Sequence, residues 1–190
     1  MGPRVDTCGA CLTRPLAFDT ALARVDYAYP WDRLIAAFKF HAALDLAAPF
    51  ADAIVDALHR AGAIDGDALI LPVPLSAARL RERGYNQAWQ LARRVAARIG
   101  SRADPHLLLR IRDTPHQLAL LPEERAGNVR GAFAVEPRRL GELRGRAVAV
   151  VDDVMTTGST LAEIALVLKS AGARSVAVWV VARTPLPGDR

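Results

Sequence analysis

Two adjacent carboxylates, Asp152 and Asp153, follow an apolar run and precede a turn that is rich in hydroxyl groups. The run, residues 148–151, has the composition of a buried strand, and we expect the strand to end at the two acids. In open α/β sheets, ligands bind outside the carboxyl ends of the strands. The two acids would therefore lie where a ligand docks.

The turn that follows supplies groups that bind anions. Its residues carry hydroxyls or no side chain: Thr156, Thr157, Gly158, Ser159 and Thr160. A helix should start here, and a helix N-terminus with backbone N–H groups favours a phosphate. A ribose 5-phosphate unit has a diol for the acids and a phosphate for the turn. The alternative is an ordinary strand–turn–helix capped by Thr160, which leaves the two acids unexplained.

The segment from Val148 to Leu161 resembles the phosphoribosyl-diphosphate (PRPP) signature of the type I phosphoribosyltransferases. The resemblance implies that Asp152 and Asp153 hold the ribose 2- and 3-hydroxyls, directly or through Mg²⁺. It also implies that residues 156–160 wrap the 5-phosphate. In its enzyme relatives the reacting sugar carbon becomes oxocarbenium-like, and positioning and electrostatics do most of the catalysis.

Apolar runs that alternate with helical repeats predict the fold class. Strands are expected at 68–71, 107–111, 132–135, 148–151 and 175–182, and helices at 31–38, 46–60 and 160–171, with one long helix closing near Gly100. Strands this apolar are buried on both faces. We therefore expect an α/β, type I phosphoribosyltransferase-like fold with a central, mostly parallel sheet and helices on both faces. The resemblance adds an N-terminal hood at 1–45 and a core at 46–190.

A second segment whose residues could bind a ligand follows the first predicted core strand, from Leu71 to Gln87. In type I phosphoribosyltransferases this loop grips pyrophosphate, and the resemblance gives that role to Pro74, Leu75, Arg79 and Arg83. The two arginines are four residues apart, so a helix places them on one face. Their guanidinium forks suit a pyrophosphate. For either arginine taken singly, a solvated basic face is the alternative.

Further matches narrow the resemblance to one family. They are the run 72–92, then Arg110, Thr114, Gln117, Arg125, Asn128, residues 131–133 and the Asp152 signature. In this order they resemble the ComF family, phosphoribosyltransferase-like proteins associated with competence for DNA uptake. The similarity extends from about Cys8 to the last strand.

In such folds the segment corresponding to 110–128 is a mobile flap over the active site, which here contains Arg110, Gln117 and Arg125. The resemblance implies that the two arginines close on the pyrophosphate. Pairing with Glu123 or Glu124 is the alternative.

The cysteines depart from the family pattern. ComF-like proteins commonly begin with two Cys-x-x-Cys pairs that form a zinc ribbon, whereas this chain has only Cys8 and Cys11, which resemble the second pair. A closed zinc site needs four ligands. Either the natural start lies upstream of Met1 or the zinc module has been lost, and a metal bridging two subunits is less expected. We therefore expect Mg²⁺ with PRPP, rather than Zn²⁺, as the cofactor.

The net charge of +5 comes almost entirely from arginine, since Lys39 and Lys169 are the only lysines. A GC-rich genome would also produce many arginines and alanines. The functional interpretation is that arginines between Arg79 and Arg130 meet phosphates of PRPP or of nucleic acid.

No apolar run is long enough to span a membrane, and residues 1–6 lack the start of a secretory signal. We expect a cytoplasmic protein without membrane insertion.

Two functions from different classes remain open. The leading hypothesis is transfer of ribose 5-phosphate from PRPP to a nitrogen acceptor with release of pyrophosphate. The alternative is a non-catalytic PRPP or nucleotide sensor, or a scaffold on single-stranded DNA that works with other DNA-uptake proteins, because fold does not establish catalysis. The sequence identifies no acceptor, and a homodimer is one of the oligomeric states that it leaves open. The absence of a Walker-type loop argues against an ATPase.

Overall fold

The computed structural model describes residues 16–112 and 129–185. Cys8, Cys11, Gln117 and Arg125 lie outside these ranges, and the predictions made for them stay predictions. The strands are β1 Thr20–Asp26, β2 Leu69–Pro72, β3 Leu108–Arg110, β4 Phe133–Val135, β5 Ala147–Met155 and β6 Ser175–Arg183. The α-helices are α1 Trp31–Phe40, α2 Ala47–Ala61, α3 Ala77–Arg83, α4 Gln87–Ile99 and α5 Ser159–Ser170, and short 3-10 helices span Leu44–Leu46 and Pro137–Glu142.

Four strands form a parallel sheet in the order β1-β6-β5-β2. Helices cover both faces, as the sequence predicted. On one face, Val148 and Val150 pack with α5 residues such as Leu161. On the other face, Ala149 and Val151 pack with α1, α2 and α4. Each fully buried Leu or Ile in these layers contributes about 1.5–3 kcal/mol of hydrophobic stabilisation.

The expectation that β5 ends at the two acids is wrong. The strand runs on through Asp152 and Asp153, and its parallel ladder with β6 reaches the pair Met155–Arg183. The strand is longer than its apolar run because β6 offers partners over its whole length. The acids therefore lie within regular strand geometry, three residues before the turn.

The strands predicted at 107–111 and 132–135 exist as β3 and β4, but they do not join the central sheet. They pair with each other as an antiparallel ribbon. The chain just before β3 occupies the edge of β2, because the N–H of Ile70 donates to Arg102 O and the N–H of Asp104 donates to Ile70 O. With that edge taken, β3 pairs instead with β4.

The long helix predicted to close near Gly100 is two helices. Gly84, at φ +80°, ends α3 in the left-handed region that favours glycine. The side chain of Asn86 then accepts hydrogen bonds from the N–H groups of Ala88 and Trp89 and caps α4. This break sets the direction of α3 independently of α4.

The strand β1 was not predicted. It pairs with β6 at the edge of the sheet and is largely exposed. Its sequence, Thr-Ala-Leu-Ala-Arg-Val-Asp, has an apolar run of only three residues, which is why the hydrophobic pattern missed it. Among the described residues, none of the helices is long and apolar enough to cross a bilayer.

Candidate functional site

The two acids of β5 differ in their surroundings. Successive side chains in a strand point to opposite faces, and accordingly Asp153 is 1 % exposed whereas Asp152 is half-buried. Asp152 Oδ1 accepts a hydrogen bond from the N–H of Asp153 at 2.9 Å. Asp153 Oδ1 accepts one from the N–H of Val154, also at 2.9 Å. Of the two carboxylates, only that of Asp152 is partly open to an incoming ligand.

Lys39 at the end of α1 forms an ion pair with the buried acid. Its Nζ lies 2.9 Å from Asp153 Oδ2, and its side chain is 23 % exposed. Burial alone would lower the pKa of Lys39, but the carboxylates of Asp153 and Asp152 outweigh it and raise that pKa. The ammonium is therefore held charged beside the acids. Sequence reasoning missed this partner, because a lysine on an amphipathic helix resembles any solvated lysine.

Asp152 lacks a close cation of its own among the described residues. Burial and the neighbouring carboxylate of Asp153 raise the pKa of Asp152 well above its ordinary value, and Lys39 offsets this only in part. The described residues hold no group of three or more His, Cys, Asp or Glu that would cage a metal. One or two carboxylates plus substrate phosphates is, however, the donor set on which Mg²⁺ usually relies. The residues present fit Mg²⁺ that arrives with a phosphorylated ligand.

The turn after β5 leads through a glycine into α5. Gly158, at φ +76°, precedes Ser159, the first helical residue, whose N–H donates to Thr157 Oγ1 at 3.4 Å. Thr160 therefore does not act as a cap, contrary to the alternative considered from the sequence. The hydroxyls of Thr157 and Ser159 lie 2.9 Å apart. Gly158 itself is buried near Leu16 and Phe18.

The loop after β2 is fixed next to the acids. The N–H of Val73 donates to Val151 O at 3.0 Å, directly before Asp152, and Asn86 Nδ2 donates to Val73 O at 3.0 Å. Pro74 is buried and Leu75 is half-buried in this loop. Ser76 Oγ accepts the N–H of Arg79 at 3.3 Å and so starts α3. The loop thereby leads from the strand edge next to Asp152 into α3, which carries Arg79 and Arg83 on one face.

An open cavity of about 160 Å³ lies between the end of α1 and α3. Its lining residues are Lys39, Phe40, His41, Ala42, Arg79, Glu82, Arg83 and Tyr85. The guanidinium of Arg83 donates to Gln87 Oε1 and stacks 5.3 Å from the centre of the Phe40 ring. We call this cavity the α1–α3 pocket. Both arginines that the sequence assigned to pyrophosphate line it.

Arg110 is not among the residues that line the α1–α3 pocket. It lies on the β3–β4 ribbon, where its guanidinium stacks 5.5 Å over the Phe133 ring and its Nε donates to Arg112 O at 3.3 Å. The flap role predicted for Arg110 stays a prediction.

Comparison with known proteins defines the class. Residues 43–186 match the model of the phosphoribosyl transferase domain. Two curated relatives named DNA utilization protein YhgH, from Escherichia coli K12 and Salmonella typhi, are 34 % identical over 180 residues. Competence protein F of Haemophilus influenzae is 32 % identical over 179 residues. Each alignment covers 93 % of this chain and 78 % of the relative.

The chain therefore belongs to the ComF family of phosphoribosyltransferase-type proteins, a family whose names link it to competence and DNA utilization. Among solved structures, an allosteric regulatory enzyme of purine biosynthesis aligns with 70 % of this chain and 25 % of its own at 21 % identity and a TM-score of 0.43. This chain thus spans about a quarter of that enzyme's length.

Proposed function

We propose that the chain binds PRPP together with Mg²⁺ and transfers its ribose 5-phosphate to a nitrogen acceptor, releasing pyrophosphate. The observation that supports this most directly is Asp152. Among the described residues this carboxylate has no close cation of its own, and its strand leads into a turn of hydroxyl and glycine residues.

Different residues would bind the different parts of PRPP. The 5-phosphate would lie against the turn 156–160, where N–H groups and hydroxyls bind anions. Asp152 would fix the ribose hydroxyls, and Arg79 and Arg83 would face the pyrophosphate. Mg²⁺, when bound with PRPP, supplies positive charge that stabilises the leaving group. No covalent nucleophile is required, because positioning and charge stabilisation lower the barrier.

Calorimetry on the single variant Asp152→Asn tests the proposal. The substitution keeps the shape of the side chain and removes its charge, and we expect PRPP affinity in the presence of Mg²⁺ to fall at least about tenfold. Asp67→Asn, at an exposed turn, is the control and should bind as the wild type does. Equal PRPP affinity in Asp152→Asn and the wild type would refute the site, provided that circular dichroism shows both variants folded.

A second measurement separates an enzyme from a sensor. The protein is incubated with PRPP, Mg²⁺ and a panel of nitrogenous bases, and pyrophosphate release is followed. Release that depends on one base supports transferase activity and identifies the acceptor. Tight PRPP binding without release favours the sensor.

The second candidate function is a role on single-stranded DNA with other DNA-uptake proteins. It is favoured by the excess of arginine and by relatives named for DNA utilization and competence. Binding through arginine–phosphate contacts would weaken steeply with salt, because counterions are released from the DNA. Fluorescence anisotropy with a labelled oligonucleotide between 50 mM and 200 mM salt, a range over which several phosphate contacts lose orders of magnitude in affinity, tests this. A flat salt profile would exclude it.

A further inference from the structure

We propose that Lys39 is an anion-binding residue of the α1–α3 pocket and that Asp153 is its positioning residue. The ligand class is a pyrophosphate group. The inference rests on the proposed function, since it gives the leaving group of PRPP a third cation, and it reassigns Asp153 from the ribose hydroxyls to Lys39.

The position of Lys39 carries the argument. Its side chain reaches the buried Asp153 carboxylate at 2.9 Å and at the same time lines the α1–α3 pocket. Asp153 is 1 % exposed, so a ligand cannot reach that carboxylate without displacing Lys39. An ammonium group has three N–H donors. The contact with Asp153 is an ion pair at 2.9 Å, so N–H donors of Lys39 remain for a ligand in the pocket.

The end of α1 is held in place by contacts other than the ion pair. The Tyr85 hydroxyl donates to the main-chain carbonyl of Phe38, and the fully buried Phe38 ring meets the Phe50 ring edge-on at 5.5 Å. The backbone next to Lys39 is therefore fixed against both α2 and the segment between α3 and α4. A fixed cation binds an anion better than a mobile one, because less conformational entropy is lost on binding.

The charges around the pocket favour an anion with more than one negative charge. Lys39 on α1 faces Arg79 and Arg83 on α3, and Glu82 is the single acid among the lining residues. A pyrophosphate offers several oxygen acceptors to these three cations, and charge-assisted hydrogen bonds of this kind are the stronger ones. The alternative is that Lys39 only neutralises Asp153 and never contacts a ligand.

The chain has two lysines, which allows a direct test on the wild-type protein. Lysines are reductively methylated with and without Mg²⁺ and inorganic pyrophosphate, and the methylation of each lysine is read by mass spectrometry. We expect pyrophosphate to slow methylation of Lys39 severalfold and to leave Lys169 unchanged. Lys169 is a suitable reference because its ammonium is also paired, at 2.6 Å from Asp19 Oδ1, on the exposed surface. Equal rates at Lys39 with and without bound pyrophosphate would overturn the inference.

Calorimetry with pyrophosphate and Mg²⁺ provides the second measurement. Lys39→Met should lose about tenfold in affinity, the size expected for one hydrogen bond to a charged group. Lys39→Arg should retain most of the affinity, and Lys169→Met should bind as the wild type does. Asp153→Asn should weaken pyrophosphate binding and also speed the methylation of Lys39. If Asp153 acted only on the ribose hydroxyls, its substitution would not have these two effects.

The outcomes separate this inference from the proposed function. If wild-type protein binds pyrophosphate and Lys39→Met binds it equally well, the role of Lys39 is refuted and PRPP binding at Asp152 stands. If wild-type protein binds neither PRPP nor pyrophosphate, both fall.

Discussion

The Tyr85 hydroxyl donates a hydrogen bond to the main-chain carbonyl of Phe38, and so joins the segment between α3 and α4 to the last turn of α1. The last carbonyls of a helix lack intrahelical partners, and Tyr85 satisfies one of them. Burial raises the pKa of Tyr85 above its ordinary value, so the hydroxyl remains a donor at neutral pH. Tyr85 also lines the α1–α3 pocket.

Removing that hydroxyl should lower stability. We expect Tyr85→Phe to reduce the free energy of unfolding by about 1 kcal/mol, since a buried carbonyl loses its donor. The measurement is urea denaturation followed by circular dichroism. Tyr29→Phe is the control, because Tyr29 is 79 % exposed. A loss of the same size in both variants would show that the bond to Phe38 is not the cause.

Asp104 should make stability depend on acid pH. Its carboxylate accepts from Arg139, from Arg102 and from the N–H groups of His106 and Leu107. The hydrogen bonds from Arg139, with help from the other donors, outweigh burial and lower the pKa of Asp104 to about 2. The unfolded value is about 3.9. Because the folded pKa is the lower one, the contribution is complete above about pH 4 and disappears as the pH falls towards about 2.

The variant Asp104→Asn isolates this contribution. At pH 7 we expect it to be less stable than the wild type by about 2 kcal/mol, and the difference should narrow as denaturation is repeated at lower pH. Asp56→Asn is the matched control, because Asp56 and its partner Arg60 are both exposed. A gap between wild type and Asp104→Asn that is constant from neutral pH to about pH 2 would contradict the low pKa.

Gly158 should not tolerate alanine. Its φ of +76° is unfavourable for a residue with a Cβ, and that Cβ would lie 3.0 Å from Leu16 Cδ1. We expect Gly158→Ala to cost about 1–2 kcal/mol of stability and to weaken PRPP binding by displacing the turn. Gly66→Ala is the control, since nothing lies within 4 Å of its Cβ position. Thermal denaturation and calorimetry check the two effects, and a Gly158→Ala protein with wild-type values in both would show that the turn is adaptable.

Ala42 is the reverse case, a residue at φ +51° on the lining of the α1–α3 pocket that is not glycine. The left-handed region costs an alanine roughly 1–2 kcal/mol, whereas glycine loses about 0.5–1 kcal/mol more entropy on folding. We expect Ala42→Gly to stabilise the protein by about 0.5 kcal/mol as the balance of the two. The same change at Ala53, inside α2, should destabilise it by about 1 kcal/mol. Chemical denaturation of the pair should therefore show shifts of opposite sign.

The sequence predicted the elements whose signal is local. The apolar run before Asp152 and the small residues after it located β5 and the start of α5. These signals depend only on residues that are neighbours in the chain. The split between α3 and α4 had a local signal too, since Gly84 followed by Asn86 is a helix stop followed by a helix start. A prediction that gave Gly84 and Asn86 more weight than the apolar spacing of α4 would have divided the helix at this point.

The features that the sequence did not reveal depend on distant partners. β1 has only a short apolar run and is a strand because β6 lies beside it. The contact between Lys39 and Asp153 joins residues more than a hundred positions apart, and nothing near Lys39 distinguishes it from a surface lysine. Long-range pairing of this kind is decided by packing in three dimensions, which single-sequence patterns do not encode.

The sheet order β1-β6-β5-β2 also constrains how the molecule is made. The first and third strands in space, β1 and β5, are joined by β6 (residues 175–183), which leaves the ribosome after both of them. Until then β1 has no partner strand, and the apolar faces of α1 and α2 have only part of their cover. The nascent chain therefore carries exposed apolar surface until β6 has been synthesised, and holdase chaperones are the cellular factors suited to cover it.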